Sequence, residues 1–248
     1  MWLGKDAYLI FSRDFREYFF NRGGFLRVTP RAAHLVEEME AEFGARGLTR
    51  YVFVQSDSLT SRLLQSFAKK GYRIADQMSV MELETPSFGV NPGLTLELGI
   101  RDGLDRWAEV YLRAFYGDTR LMKPVLSVIE RMGTNKEAGL MLASMGERPV
   151  GVLAVFRSPG TMGVYCVGTL PEARKEHVAS TMLEFCGRLA VSEGRKMILQ
   201  TILSDSVEGL YMKLGFRRVY TKELFVRDRE QPDIARSVGC SKCSARSE

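Results

Sequence analysis

The stretch from residue 163 to residue 216 constrains the fold more than any other part of the chain. It begins with a strand-like run at 163–169, passes through a polar, basic segment, and continues into a helical pattern with apolar residues every three or four positions. A second apolar run and a second helical pattern follow, and the stretch closes on Tyr211-Met-Lys-Leu-Gly-Phe216. Strands and helices that alternate in this way are typical of α/β domains. The chain is therefore predicted to have an α/β fold.

The segment 174–179 has the composition of an anion-binding loop. Arg174 and Lys175 supply positive charge directly before a helix whose apolar positions begin at Val178. The first N–H groups of a helix have no acceptor within the helix, and the helix dipole adds partial positive charge at the same end. The segment therefore favours a phosphate-bearing ligand.

These two segments together resemble the GNAT superfamily of N-acetyltransferases. Residues 164–183 are similar to the acyl-CoA-binding core of that family, and residues 204–216 are similar to its closing motif. The resemblance covers residues 94–228, where the predicted order is strand-helix-helix-strand-strand-strand-helix-strand-helix-strand. It implies the GNAT acyl-CoA N-acyltransferase fold, a mixed, mostly antiparallel splayed sheet flanked by helices.

The resemblance also implies binding and catalytic positions. The implied cofactor-binding residues are Val167, Gly168, Thr169, Arg174, Lys175, Glu176, His177, Val178, Ala179, Ser204 and Tyr211. The N–H of Val167 would stabilise the oxyanion that forms on the thioester carbonyl, and Tyr211 would protonate the departing thiolate. These two residues are the catalytic candidates, with acetyl-CoA as the co-substrate. Val207, Leu210 and Leu214 are predicted to form the buried face of the helix that carries Tyr211.

Three positions depart from the family pattern. His177 stands where the pattern Arg/Gln-x-x-Gly-x-Gly/Ala has its first glycine, and Ser204 stands where an asparagine is frequent. Gly163 occupies a position where many relatives carry a glutamate. A side chain at 177 crowds the phosphate path and is strained if the loop needs a positive φ there. We therefore expect CoA binding that is retained but weakened.

No residue stands out as the general base. Asp118, Glu172, Asp205 and Glu208 are the carboxylates near the predicted site, and each has the pattern of a helix cap or a surface charge. Deprotonation through water, or attack by an amine that arrives neutral, would need no dedicated residue.

The first 85 residues repeat part of this pattern. A strand-like run, a helix and a Gly-aromatic pair follow one another, with Phe67 at the position of Tyr211, and a helix at 31–43 precedes them. That helix has no basic loop resembling 174–179 before it, and Phe67 has no ionisable proton. Residues 1–85 are therefore predicted to be a partial GNAT-like unit without cofactor chemistry. A coincidental strand-helix-strand pattern is the alternative.

The chain is predicted to divide into four parts. A segment at 86–93 with two prolines and two glycines has the composition of a linker between residues 1–85 and the GNAT domain at 94–228. A flexible polar tail at 229–248 follows. It contains Cys240 and Cys243, which are interpreted as incidental thiols unless two tails share a metal ion in a dimer.

Charge and hydropathy narrow the classes of partner. The net charge of +5 suits an anionic ligand such as CoA, but equally a nucleic acid or an acidic protein. Basic and aromatic residues are not interleaved, so nucleic acid is not favoured. No apolar run approaches the ~18 residues of a membrane span, and the first six residues do not resemble a secretory signal. Cys166 and Cys186 are predicted to be reduced core residues, so the expectation is a cytoplasmic protein, with homodimerisation left open.

The leading interpretation is an N-acetyltransferase that moves an acetyl group from acetyl-CoA to a primary amine. Two alternatives remain open at the level of sequence. One is a catalytically weak or inactive module that binds an acyl-CoA or a protein. The other is a tandem GNAT transferase that takes its acyl group from an aminoacyl-tRNA.

Overall fold

The computed structural model describes residues 1–12, 14–15 and 18–227. The predicted tail at 229–248, with Cys240 and Cys243, lies outside the described residues. The elements in chain order are β1 (Trp2–Leu3), β2 (Ala7–Ile10), a 3₁₀ turn (Tyr18–Phe20), β3 (Arg22–Phe25), α1 (Ala32–Ala45), β4 (Val52–Ser56), α2 (Asp57–Lys69), β5 (Tyr72–Leu83), β6 (Leu94–Leu98), α3 (Leu104–Tyr116), α4 (Met122–Gly133), β7 (Ala138–Met145), β8 (Arg148–Ser158), β9 (Thr161–Thr169), a 3₁₀ turn (Pro171–Ala173), α5 (Val178–Ser192), β10 (Lys196–Ile202), a 3₁₀ turn (Leu203–Asp205), α6 (Glu208–Lys213) and β11 (Phe216–Arg227). Within the described residues, no helix is both long and apolar enough to cross a membrane.

The described chain forms two compact units that are not consecutive in sequence. Unit 1 contains Met1–Ser79, Ile202–Asp205 and the described residues from Tyr220 onward, and unit 2 contains Val80–Thr201 and Ser206–Val219. The long strands β5 and β11 therefore each contribute residues to both units. The boundaries of these two units do not test the predicted division of the chain into residues 1–85, 86–93, 94–228 and 229–248. That division stays a prediction.

Unit 2 is built on strands paired in the order β10-β9-β8-β7-β6. The β9–β10 pair is parallel and the other three pairs are antiparallel. From β6 to β11, the helices and strands follow the predicted order. The predictions of an α/β fold and of a mixed, mostly antiparallel sheet flanked by helices are confirmed.

Helix α5 packs closely on the sheet of unit 2. Its buried residues Val178, Met182 and Cys186 belong to one core cluster with Leu153 of β8. A Cβ at Gly151 would lie 2.5 Å from Val178 Cγ1 and 3.1 Å from Met182 Cε. Glycine at 151 therefore allows the start of α5 to approach the backbone of β8 closely.

Unit 1 pairs its strands in the order β1-β2-β3-β4-β11. The β3–β4 pair is parallel, and the β1–β2, β2–β3 and β11–β4 pairs are antiparallel. Its core is rich in aromatic rings: the centroid of Phe67 lies 5.3 Å from that of Phe53 and 4.5 Å from that of Phe225. Phe225 comes from β11, so the last described strand of the chain completes the core of this unit.

An acidic pair in unit 1 should make stability depend on pH. Burial, together with the nearby Asp76 carboxylate, raises the pKa of Asp205 to about 6, and Asp205 Oδ1 is buried without a hydrogen-bond partner among the described residues. The folded chain therefore holds the proton more tightly than the unfolded chain, and stability is lost as the pH rises from the usual range of an aspartate to about 6. Since Asp205 is only half-buried, we expect Asp205→Asn to raise the free energy of unfolding by about 1 kcal/mol at pH 8 and not at pH 4.

Urea denaturation of the variant at the two pH values measures this difference. Asp57→Asn is the control of opposite sign, because the hydroxyl of Thr221 donates to Asp57 and lowers the pKa of that carboxyl. A gain for Asp205→Asn of equal size at both pH values would contradict the assignment.

Candidate functional site

Strands β9 and β10 separate part of the way along their length. Their parallel pairing runs from Thr161↔Lys196 to Val164↔Leu199. The parallel register ends there, although β9 continues to Thr169 and β10 to Ile202. An unpaired strand edge presents backbone N–H and C=O groups to any extended partner that carries amides.

A β-bulge lies in the separated part of β9. Val152 pairs with Gly168 and Ala154 with Tyr165, so Cys166 and Val167 together face the single residue Leu153. Cys166 has a φ of +54°, which is a strained conformation for a non-glycine residue. A bulge bends its strand and re-aims the local backbone, and bulges are frequent beside active sites. The predicted oxyanion donor, the N–H of Val167, thus belongs to the bulge.

Helix α3 supports the bulge from one side. The indole N–H of the buried Trp107 donates to the carbonyl of Leu153, the residue opposite the bulge, at 3.4 Å. A Cβ at Gly168 would lie 2.7 Å from Cε2 of Phe115, so glycine is needed for this approach.

Burial raises the pKa of the Cys166 thiol to about 12, so this cysteine is not a thiolate nucleophile at neutral pH.

The basic loop leads from β9 into α5. Arg174, Lys175, Glu176 and His177 are exposed, Ala179 is half-buried and Val178 is buried. The loop does need positive φ values at non-glycine residues: +71° at Lys175 and +55° at His177, which is the N-cap of α5. Helix α5 begins at Val178 directly after this loop, so the N–H groups of its first turn have no acceptors within the helix.

The side chain of His177 packs against the segment predicted to be a linker. A Cβ at Gly89 would lie 2.5 Å from Nδ1 and 2.6 Å from Cε1 of the imidazole. The ring therefore lies directly over the Gly89 backbone. The sequence gives no sign of this contact, because the two residues are far apart in the chain and the glycines and prolines of 86–93 indicate only a linker.

Tyr211 lies on α6, a helix of only six residues. Its half-buried ring packs against the core of unit 2, with its centroid 5.9 Å from that of Phe216 in an edge-to-face contact. The predicted buried face of this helix is wrong in part: Leu214 is buried, but Leu210 is 51% exposed. A six-residue helix makes less than two full turns, so a stripe with a period of 3.6 residues is not maintained along it.

Ser204 does not join the other candidates within unit 2. It belongs to unit 1, where its hydroxyl donates to Asp76. Three of the carboxylates considered as bases are in ion pairs: Glu172 with two arginines, Asp118 with Arg120, and Glu208 with Arg218. These pairs favour the surface-charge interpretation of all three.

Unit 1 contains the corresponding pair of parallel strands, but there the separation is filled. The β3–β4 pairing stops at Gly23↔Phe53. Just beyond it, the N–H of Phe25 donates to Oε1 of the buried Gln55 at 2.9 Å, and Nε2 of Gln55 donates to the carbonyl of Phe25 at 3.3 Å. The carboxamide of Gln55 thus forms the two backbone hydrogen bonds that an extended ligand would otherwise make, a role that the sequence did not reveal.

No protein-family model matches the chain, and no curated protein matches it. Solved structures do: a functionally unknown conserved protein from Staphylococcus epidermidis ATCC 12228 aligns with a TM-score of 0.68 at 16% identity, over 91% of this chain and 92% of the other. A GCN5-related N-acetyltransferase from Kribbella flavida aligns with a TM-score of 0.64 at 18% identity, over 88% and 85% of the two chains. One from Sphaerobacter thermophilus aligns with a TM-score of 0.65 at 18% identity, over 91% and 81%.

At such identities the similarity concerns the fold. It extends over about nine tenths of this chain, well beyond residues 94–228, so the first 85 residues share in it. The two aligned N-acetyltransferase structures agree with the sequence motifs at 164–183 and 204–216. The chain has the fold of the GNAT superfamily, as its sequence motifs predicted.

Proposed function

We propose that this protein transfers an acetyl group from acetyl-CoA to a primary amine by direct attack, without a covalent enzyme intermediate. The observation that carries the proposal is the separation of β9 from β10 after Val164↔Leu199, with a bulge at Cys166 and Val167. This part of β9 is followed by the 3₁₀ turn at Pro171–Ala173 and then by the basic loop at the N-terminus of α5. A pantetheine arm has amides that match a strand edge, and its pyrophosphate matches such a loop.

The residues of the loop bind by charge and by backbone. Arg174 and Lys175 are exposed at the end of the loop that precedes α5. The N–H groups of Val178 and Ala179 in the first turn of α5 would donate to the pyrophosphate. On the strand, backbone groups of Val167, Gly168 and Thr169 would pair with the pantetheine amides.

Two groups would take part in the reaction itself, the N–H of Val167 and the hydroxyl of Tyr211. The amine lone pair forms a bond to the acetyl carbon, and the negative charge that develops on the carbonyl oxygen is stabilised by the N–H of Val167. The C–S bond then breaks, and the hydroxyl of Tyr211 gives its proton to the departing thiolate. The amine loses one proton to solvent and the Tyr211 phenolate takes one proton back from solvent, so the protons balance and Tyr211 returns to its starting state.

Calorimetric titration with acetyl-CoA tests the binding step. We expect one molecule bound per chain, because Gln55 fills the corresponding separation in unit 1. Reversing both cations in the variant Arg174→Glu, Lys175→Glu should weaken binding at least ~100-fold, since each charge-assisted hydrogen bond contributes about 1.5–3 kcal/mol. A double reversal on α2 that changes the net charge equally, Arg62→Glu with Lys69→Glu, should have little effect.

Two outcomes would contradict the proposal at different levels. Absence of binding by well-folded wild-type protein would refute the assignment of an acyl-CoA site. Binding of acetyl-CoA without release of free thiol over a broad panel of amines would instead favour a binding module. That second function has one observation in its favour, namely that Asp118, Glu172 and Glu208 are all in ion pairs.

A further inference from the structure

We propose that residues 89–91, hereafter the strap, hold the basic loop in its ligand-binding conformation, and that Asn91 is the positioning residue. The inference rests on the proposed function and adds to it a determinant of acyl-CoA affinity outside the GNAT motifs. The strap lies in the segment whose composition predicts a linker. All of the residues concerned belong to unit 2.

Asn91 bonds to the loop on one side and to α5 on the other. Its Nδ2 donates to the backbone carbonyl of Glu176 at 2.9 Å, and its own N–H donates to Oγ1 of Thr181 at 2.9 Å. Its Oδ1 accepts the N–H of Gly93 at 2.9 Å, which orients the amide so that the NH₂ group faces the loop. One donor and one acceptor contact therefore fix the orientation of the Asn91 side-chain amide.

The bond to Glu176 acts at the strained point of the loop. Glu176 lies between Lys175 and His177, the two loop residues with positive φ. Left-handed conformations of non-glycine residues cost about 1–2 kcal/mol each and persist only where neighbouring contacts enforce them. Asn91 supplies such a contact at the peptide between the two residues.

A second route connects the strap to His177. Thr181 Oγ1, which accepts the N–H of Asn91, donates to the carbonyl of His177 at 2.7 Å. The hydroxyl of Ser180 donates to the carbonyl of Gly89, and the imidazole of His177 lies over that glycine. The strap thus fixes the loop at a position where the family pattern has glycine and this chain has histidine.

Substitutions of Asn91 test the positioning role. Asn91→Asp keeps the acceptor for Gly93 but turns a second oxygen towards the carbonyl of Glu176, and Asn91→Ala removes both contacts. Both should raise the dissociation constant of acetyl-CoA about tenfold, the effect of one lost hydrogen bond. The KM for acetyl-CoA should rise by the same factor with kcat unchanged, because the contact is equal in ground and transition states.

Asn135→Ala is the matched control. Asn135 also accepts a backbone N–H two residues on, that of Glu137 at 2.9 Å, in unit 2 but in the turn between α4 and β7. Its loss should change the dissociation constant less than about twofold. Unchanged acetyl-CoA affinity in both Asn91 variants would overturn the inference.

A double-mutant cycle tests the link to His177. Gly89→Ala places a Cβ 2.5 Å from Nδ1 of the imidazole and should weaken binding. In a His177→Gly background the ring is absent, so the same substitution should have almost no effect. Additive effects of the two substitutions would show that the strap and the loop are independent.

Limited proteolysis separates failure of the strap from failure of the proposed function. Trypsin should cut after the exposed Arg174 and Lys175 several times faster in Asn91→Ala than in wild type, and at the wild-type rate in Asn135→Ala. If wild-type protein does not bind acetyl-CoA, the proposed function fails and this cleavage rate alone decides whether the strap holds the loop. An unchanged rate in Asn91→Ala would then overturn it.

Discussion

Replacing Tyr211 by phenylalanine should lower kcat about 100-fold or more and change the dissociation constant of acetyl-CoA less than about threefold. The substitution removes only the hydroxyl, while the ring keeps its edge-to-face contact with Phe216 and its place against the core of unit 2. Without a proton donor, the thiolate departs as a poor leaving group. Free-thiol release at saturating amine gives kcat, and calorimetry gives the dissociation constant.

Tyr220→Phe is the matched control for this change. Tyr220 lies in unit 1 and is 39% exposed, so loss of its hydroxyl should leave kcat unaltered. An undiminished kcat for Tyr211→Phe would remove this residue from the mechanism. A rise in the dissociation constant with kcat unchanged would make Tyr211 a binding residue instead.

The order of helices and strands could be predicted from the sequence because each element carries a local signal. Apolar residues alternate in β6 and recur at helical spacing in α3, and glycines with positive φ stand at both ends of that helix, at 103 and 117. The signal for the start of α5, a basic segment directly before a helical apolar pattern, is also local in sequence. Such features depend on backbone preferences within a few residues, and these are readable without the fold.

Neither the contacts of the strap nor the contact between Gln55 and Phe25 in unit 1 could be predicted from the sequence. The prolines and glycines of 86–93 indicate how that backbone bends, but not that Asn91 bonds to Glu176, 85 residues further on. Gln55 is a polar residue at the end of a strand, and only the meeting of β3 and β4 shows that its carboxamide bonds to Phe25. Both are side-chain contacts to backbone groups that are distant in sequence, for which composition and periodicity contain no signal.

The second prediction concerns stability: Phe225→Ala should lower the free energy of unfolding by about 3–5 kcal/mol. The side chain is 1% exposed, and its ring stacks on that of Phe67 with centroids 4.5 Å apart. Removing it leaves a cavity between β11 and α2 that the surrounding aromatic rings cannot collapse to fill. Val219→Ala, at an exposed position of the same strand, should cost less than about 0.5 kcal/mol. Urea denaturation measures both.

The size of this effect depends on where β11 packs. Phe225 pairs across the ladder with Phe53 of β4, and both belong to the core of unit 1, although about 170 residues separate them in sequence. Because the rings of Phe225 and Phe67 touch, Phe67→Ala and the Phe225→Ala, Phe67→Ala double variant complete a cycle whose coupling should exceed about 0.5 kcal/mol. Additive losses would mean that the rings of Phe225 and Phe67 are not energetically coupled, which would contradict the shared core.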